Sequence, residues 1–469
     1  MSQILLLASV AFVIWFVRRD RAWRPGLSGA IWIPTLWVAI LASRPLSAWL
    51  GLSGGDTLEG SPLDRLFFVG MIFASFVVLS RRATPWGPIL SRNWPIVLFY
   101  LFLLVTVVWA NSPLSSFKRW SKECGNIVVA LVILTEVDPQ QAIRAVFVRC
   151  ASVLVPLSIV FIRYFPDLGR RYSMHSGELE ITGVTTQKNS LGAMILVCGL
   201  VLIWDWLERS RPGAARVPRL DRCFSLGLFA AAAWLLYQSD SKTSMACLVV
   251  GGGLIAAVRL PVLHRRVSAM GPGLLVAGIL FFLCDQAFGL SAAVISNLGR
   301  DMTLTGRTEV WRELLNLNTD PLFGTGFMSL WDDPQLRGRL PEWVAGSAHN
   351  GYLEIYLASG LVGVALLALM LLVTGLRINQ ALRTGGSNFA AVRFAVLLAM
   401  VVANYFESNF ACMTPLGLLF LVSAIGEVPR GRTQSEPREE PAPALSPQAD
   451  AGSRFSPGPG RAPQPSFPS

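Results

Sequence analysis

The stretch Ile355-Tyr-Leu-Ala-Ser-Gly-Leu-Val-Gly-Val-Ala-Leu-Leu-Ala-Leu-Met-Leu-Leu-Val-Thr-Gly-Leu376 runs for 22 residues without a charge, between Glu354 and Arg377. A helix needs about 20 predominantly apolar residues to cross a bilayer, so this stretch reads as a transmembrane span. Comparable runs recur on both sides of it. Thirteen can be counted, centred near Val10, Leu36, Ile72, Phe102, Leu131, Leu154, Ile195, Ala231, Gly252, Val276, Leu366, Leu397 and Leu419. They predict an all-α integral membrane protein, a polytopic bundle of about 12 to 13 transmembrane helices. Composition agrees: 53% of the 469 residues are hydrophobic and 15% charged, against roughly 25% charged in a soluble domain. A water-soluble enzyme is therefore not expected. The net charge of +11 is not gathered into one basic domain, which argues against nucleic acid as a partner. All seven cysteines lie in or beside apolar runs, with no Cys-x-x-Cys pair, and read as small core residues rather than as disulfides or metal ligands.

Orientation follows from the short loops, because cytoplasmic loops carry the excess of Lys and Arg. Placing Arg209, Arg211, Arg216, Arg219 and Arg222 inside also brings four other clusters inside: Arg18 to Arg24, Arg81 to Arg92, Arg259 to Arg266, and Arg377 with Arg383. The N-terminus then lies outside and the C-terminus inside, in the cytoplasm. The first run has its arginines after it and none before it, the reverse of a secretory signal peptide. A membrane domain is assigned to 1–428, including a large periplasmic loop, 289–349, between spans ten and eleven. Residues 429–469, with 10 prolines in 41 positions, read as a disordered Pro-rich cytoplasmic tail.

Fifteen basic residues fall on the predicted outer face, including Lys118, Arg119, Lys122, Arg163, Arg170, Arg171, Lys188, Lys242, Arg300, Arg307, Arg312, Arg337 and Arg339. All four lysines of the chain are among them. The positive-inside rule does not explain these charges. They are either solvated loop residues and headgroup anchors or a site for an anion such as a phosphate or diphosphate. In the long loop, Thr305 reads as an N-cap, with Val310, Leu314 and Leu317 spaced as one helical face. That spacing puts Arg307 in the first turn, where an anion is favoured. A bland alternative pairs Arg307 with Glu309 or a neighbouring acid. The glycines of Pro321-x-x-Gly324-x-Gly326 read as a packing turn rather than a phosphate loop. His349, one of three histidines beside His175 and His264, sits at the start of span eleven. It is a general base or a hydrogen-bonded structural residue. No metal-ligand spacing involves it, and no Gly-x-Ser-x-Gly elbow occurs.

Taken together, Gly306-Arg307-x-x-x-Trp311, Pro321-x-x-Gly324-x-Gly326, His349-Asn350-Gly351-Tyr352-Leu353 and Gly360-x-x-Gly363 resemble the O-antigen ligase and polymerase family. Within that family they look most like the exopolysaccharide-polymerase branch. Gly183 to Gly192, with its Lys188-Asn189-x-Leu191-Gly192, and Ser239 to Thr243 add to the resemblance, which covers roughly residues 65 to 425. It implies a GT-C-like glycosyltransferase of the bacterial inner membrane that needs neither metal nor nucleotide sugar, and so no cofactor. Such an enzyme uses an undecaprenyl-diphosphate-linked oligosaccharide as donor and a saccharide as acceptor. Membrane lipids and polysaccharide export or chain-length machinery are the further partners it implies.

Carried over by motif, Arg307 would hold the diphosphate and His349 would help to activate the acceptor hydroxyl. Lys242, Lys188, Arg119, Lys118, Arg312 and Asn350 are the substrate-binding candidates, with Glu309 or Glu354 as the alternative base. Lys242 stands where many relatives carry arginine, which leaves a point charge in place of a bidentate fork. Trp311, Trp331, Trp343 and Tyr352 could stack on sugar faces or simply pack. Polymerisation and transfer to lipid A core remain alternative acceptors. A transporter or flippase is the rival of another class, but the spans carry few ionisable groups and no internal repeat.

Overall fold

The computed structural model describes residues 26–52, 60–173, 177–211, 213, 218–258 and 307–426 apart from 318, 334, 337–339, 341–343, 345 and 385–387, together with isolated positions between 11 and 24. In hydrocarbon no water can satisfy backbone N–H and C=O groups, so each apolar run must bond within itself. It does so in α1 (Trp32–Leu41), α2 (Pro62–Arg81), α3 (Trp94–Thr106), α4 (Pro113–Leu134), α5 (Pro139–Tyr164), α6 (Lys188–Arg209), α7 (Arg219–Gln238), α8 (Lys242–Ala257), α9 (Arg307–Leu315), α10 (Gly351–Arg383), α11 (Asn388–Phe406) and α12 (Pro415–Ala424). Eleven of the thirteen expected centres fall in these helices; Val10 and Val276 lie outside the described residues, as does 427–469. Among the described residues, six helices are long and apolar enough to cross a membrane: α2, α5, α6, α7, α10 and α11. Trp86–Arg92 and Trp94–Trp109 meet at 89° and would make a seventh as one broken span. Starts are marked by local chemistry. Ser61 and Asp64 form a capping box on α2, and Asp138 caps α5 ahead of Pro139.

Long-range polar contacts sort the loops into two ends. At one end, Ser28 and Arg82 bond to Glu136, Arg24 and Arg209 pair with Asp205, and Arg149 pairs with Asp20 at 2.6 Å. Arg19 pairs with Asp221, Asn388 with Glu208, and Arg377 with the carbonyl of Arg92. At the other end, Arg44 reaches Leu168 and Val184, Asn111 reaches Ser329, and Asn189 reaches Glu407. Among the described residues, α1, α3, α4, α5, α6 and α11 each run from one set to the other, whereas α9 lies wholly at the second. The two are the arginine end and the loop end.

One feature at the loop end was not expected. The 33-residue α10 is broken at Gly360, whose φ is 60° and ψ −162°. Its apolar span therefore starts at Leu361, below a separate segment carrying Gly351 to Ser359. The 320–326 turn fills the break. Thr325 and Gly326 donate N–H to the carbonyls of Leu357 and Ala358, at 2.8 and 3.0 Å. The N–H groups of Leu361 and Val362 donate back to the carbonyls of Pro321 and Leu322, at 2.9 and 3.2 Å. This satisfies the groups that the break would leave unpaired. The glycines follow from closeness: a Cβ on Gly360 would meet the Leu322 backbone, and one on Gly324 would come 2.5 Å from the nitrogen of Ser359. The Gly-x-Gly motif is thus a splint across a broken helix.

Candidate functional site

Three segments converge at the loop end on one carboxylate, Glu407, the residue after α11. Its Oε1 accepts from Asn189 Nδ2 at 2.7 Å and from Arg307 Nη2 at 3.0 Å, while Oε2 lies 3.2 Å from His349 Nδ1. Arg307 also donates to the carbonyl of Phe406. Burial disfavours ionisation of Glu407, but the hydrogen bond from His349 and the charge of Arg307 outweigh it, holding its pKa below the ordinary carboxylate value. An ionised Glu407 accepts a proton-bearing Nδ1, which fixes the imidazole tautomer and makes Nε2 the basic nitrogen.

Each partner is held by its own element. α9 lays Val310 and Leu314 against Leu330, Trp331, Leu353 and Leu357, as its spacing predicted; Thr305 lies outside the described residues. Trp311 Nε1 donates to the carbonyl of Ala348 at 2.8 Å, tying α9 to the turn before His349. That histidine has φ 50°, the left-handed region that side chains other than Asn, Asp and His rarely enter. Ser347 Oγ accepts from its N–H, and Asn350 Oδ1 caps the next helix through the N–H groups of Tyr352 and Leu353. Asn189 is positioned from a distance by Arg44. That guanidinium donates to the carbonyls of Leu168, Gly183, Val184 and Thr185 at 2.9 to 3.2 Å, fixing the loop that leads into α6.

The expected substrate-binding residues divide into four groups. Lys188 and Lys242 begin the neighbouring helices α6 and α8 at this same end, paired with Glu180 at 3.2 Å and Asp240 at 2.7 Å. Lys118 and Arg312 are exposed on α4 and α9. Arg119 is instead engaged with the long loop. It grips Asp332 through two bonds of 3.0 and 2.7 Å, and donates to the carbonyl of Met328. Asn350 acts through its oxygen as a helix cap. Of the alternative bases, Glu309 is exposed, while Glu354 accepts from the backbone of Ala348 and from Trp331. Trp331 is 2% exposed and Tyr352 donates to the carbonyl of Val401, so both pack rather than present a sugar platform. Arg300, Arg337, Arg339, Trp343 and His175 lie outside the described residues.

Glu407 and Asn189 were missed as site residues because their links cross 58, 100 and 218 positions of sequence. An acid directly after an apolar run, at the end where the unexplained cations gather, was the available signal.

The fold is that of an all-α polytopic membrane protein, with Arg307, Glu407 and His349 brought together at the loop end of its bundle. The profile of the O-antigen ligase family matches residues 227–368, a segment that contains Arg307, the splint turn and His349. Over 380 residues the chain is 26% identical to the exopolysaccharide production protein ExoQ of Rhizobium meliloti (strain 1021), covering 74% of this chain and 79% of that one. Over these segments the chain is similar to the O-antigen ligase/polymerase family.

Proposed function

We propose that the protein is a glycosyltransferase of the bacterial inner membrane that polymerises exopolysaccharide or O-antigen repeat units from an undecaprenyl-diphosphate-linked donor. The loop end then faces the periplasm, the arginine end and the C-terminus face the cytoplasm, and the N-terminus is periplasmic. The observation that carries this reading is the Glu407 bridge between a histidine and an arginine. In the proposed reaction the acceptor hydroxyl oxygen bonds to the anomeric carbon of the donor as its proton passes to His349 Nε2. The bond from that carbon to the diphosphate oxygen breaks, and its electron pair leaves with the diphosphate. Glu407 stabilises the imidazolium that forms. Negative charge growing on the leaving group meets Arg307, with Lys188 and Lys242 at the rim. Fixed cations stabilise such charge most in a water-poor site. Two bonds from Arg307 to Glu407 and Phe406 leave its five-donor fork with donors for phosphate oxygens.

The test is to incubate the purified protein with the undecaprenyl-diphosphate repeat unit of its organism. Longer lipid-linked glycan is the expected product. Transfer to lipid A core instead would make the protein a ligase using the same chemistry, and no transfer to either acceptor would overturn the enzymatic reading.

A further inference from the structure

A cavity opens at the arginine end, remote from Glu407, between Trp15, Phe16, Arg19 and Asp20, the end of α6 and the start of α7. Its volume is about 50 Å³, room for a few water molecules or a small polar headgroup, and it opens to the surface. Its walls are of two kinds. Trp15, Trp206 and Phe224 supply apolar faces, while Arg19 and Arg209 together with the carboxylates of Asp20, Asp205 and Asp221 bring charge of both signs. Arg19 and Arg209 pair with Asp221 and Asp205, yet keep 28% and 26% of their side chains exposed.

Asp221 is matched on one side only. Both bonds from Arg19, 2.7 Å from Nε and 2.5 Å from Nη2, fall on Oδ1. Oδ2 is buried and accepts no hydrogen bond among the described residues, in a residue only 8% exposed. A buried carboxylate oxygen without a donor is costly, which makes it a recognition feature when a donor can arrive from outside. The cations at the mouth suit a phosphate, the oxygen behind them suits a group with N–H bonds and positive charge, and the aromatics suit hydrocarbon.

We propose that this cavity binds the headgroup of a zwitterionic membrane phospholipid bearing a primary ammonium, of the phosphoethanolamine type. Its phosphate sits between Arg19 and Arg209, its ammonium donates to Asp221 Oδ2, and its chains lie along the aromatic wall. A choline headgroup has no N–H to give Oδ2. A purely anionic headgroup brings no positive charge to Oδ2. The proposal does not depend on the glycosyltransferase reading.

The test uses the full-length protein, delipidated in detergent and offered equal amounts of ethanolamine, choline and glycerol phospholipids, with retained lipid counted by native mass spectrometry. The wild type is expected to retain the ethanolamine lipid about tenfold over the choline lipid. Asp221→Asn removes that preference, as does Ser225→Trp, which fills the cavity from its wall, and exposed Asp167→Asn at the other end keeps it. Ser225→Trp decides the location if Asp221→Asn fails to fold. Equal retention of ethanolamine and choline lipids, preference for the glycerol lipid, or an unchanged preference in the folded variants would overturn the proposal.

Discussion

Glu407 carries more of the site than any residue legible in the sequence. Arg307 and His349 stood out because an arginine at a helix start and a lone histidine at a span boundary each have chemistry of their own. An acid that organises them becomes visible only when α11 returns its end to theirs. His349→Ala is expected to lower transfer by about 10²–10⁴-fold, the usual contribution of general base catalysis, with protein levels unchanged on a membrane blot. Activity within twofold of wild type would remove it from the mechanism. Glu407→Gln keeps the shape and removes the charge, so a comparable loss of turnover should come without loss of folded protein. Because its folded pKa lies below the ordinary carboxylate value of 4.5, the bridge contributes stability above that pH. The contribution is lost as pH falls through the lower folded value. Thermal unfolding of the wild type should therefore weaken on acidification below about pH 4.5, and Glu407→Gln should be flatter there. Parallel curves would refute the ionised bridge.

Among elements, the informative comparison is between α6, which forms the unbroken helix its sequence promised, and α10, which does not. The uncharged run in α10 gave no sign of the break at Gly360, because hydrophobicity reports where a chain is buried and not whether its hydrogen bonds run straight. The spacing of Gly360 and Gly363 was noticed as a motif. Its purpose depends on a turn some forty residues earlier that has no pairing signature. Gly360→Val should be destabilising by about 1–3 kcal/mol from its positive φ alone, with collision against Leu322 in addition. Gly70→Val, where a Cβ meets nothing within 4 Å, is the control. Detergent unfolding curves that coincide for the two would contradict the splint.

For the whole molecule, apolar length and arginine placement together made the bundle and its alternation readable. Those two signals are imposed by the membrane rather than by any partner within the protein. The 259–306 stretch and the tail lie outside the described residues, so the full span count rests on the apolar runs. Cysteines introduced at Arg209 and Glu313 should react with impermeant reagent from opposite sides of sealed vesicles; labelling from one side would break the alternation. The break in α10 has a further consequence. His349 and the segment behind it are mounted above Gly360, fastened to the 320–326 turn, whereas the rod embedded in lipid begins below it. A thinner or thicker bilayer tilts such rods, and the turn, bonded on both sides of the break, passes the tilt on to the imidazole. Transfer rates in vesicles of short-chain and long-chain lipid should accordingly differ, so that the chemistry senses membrane thickness.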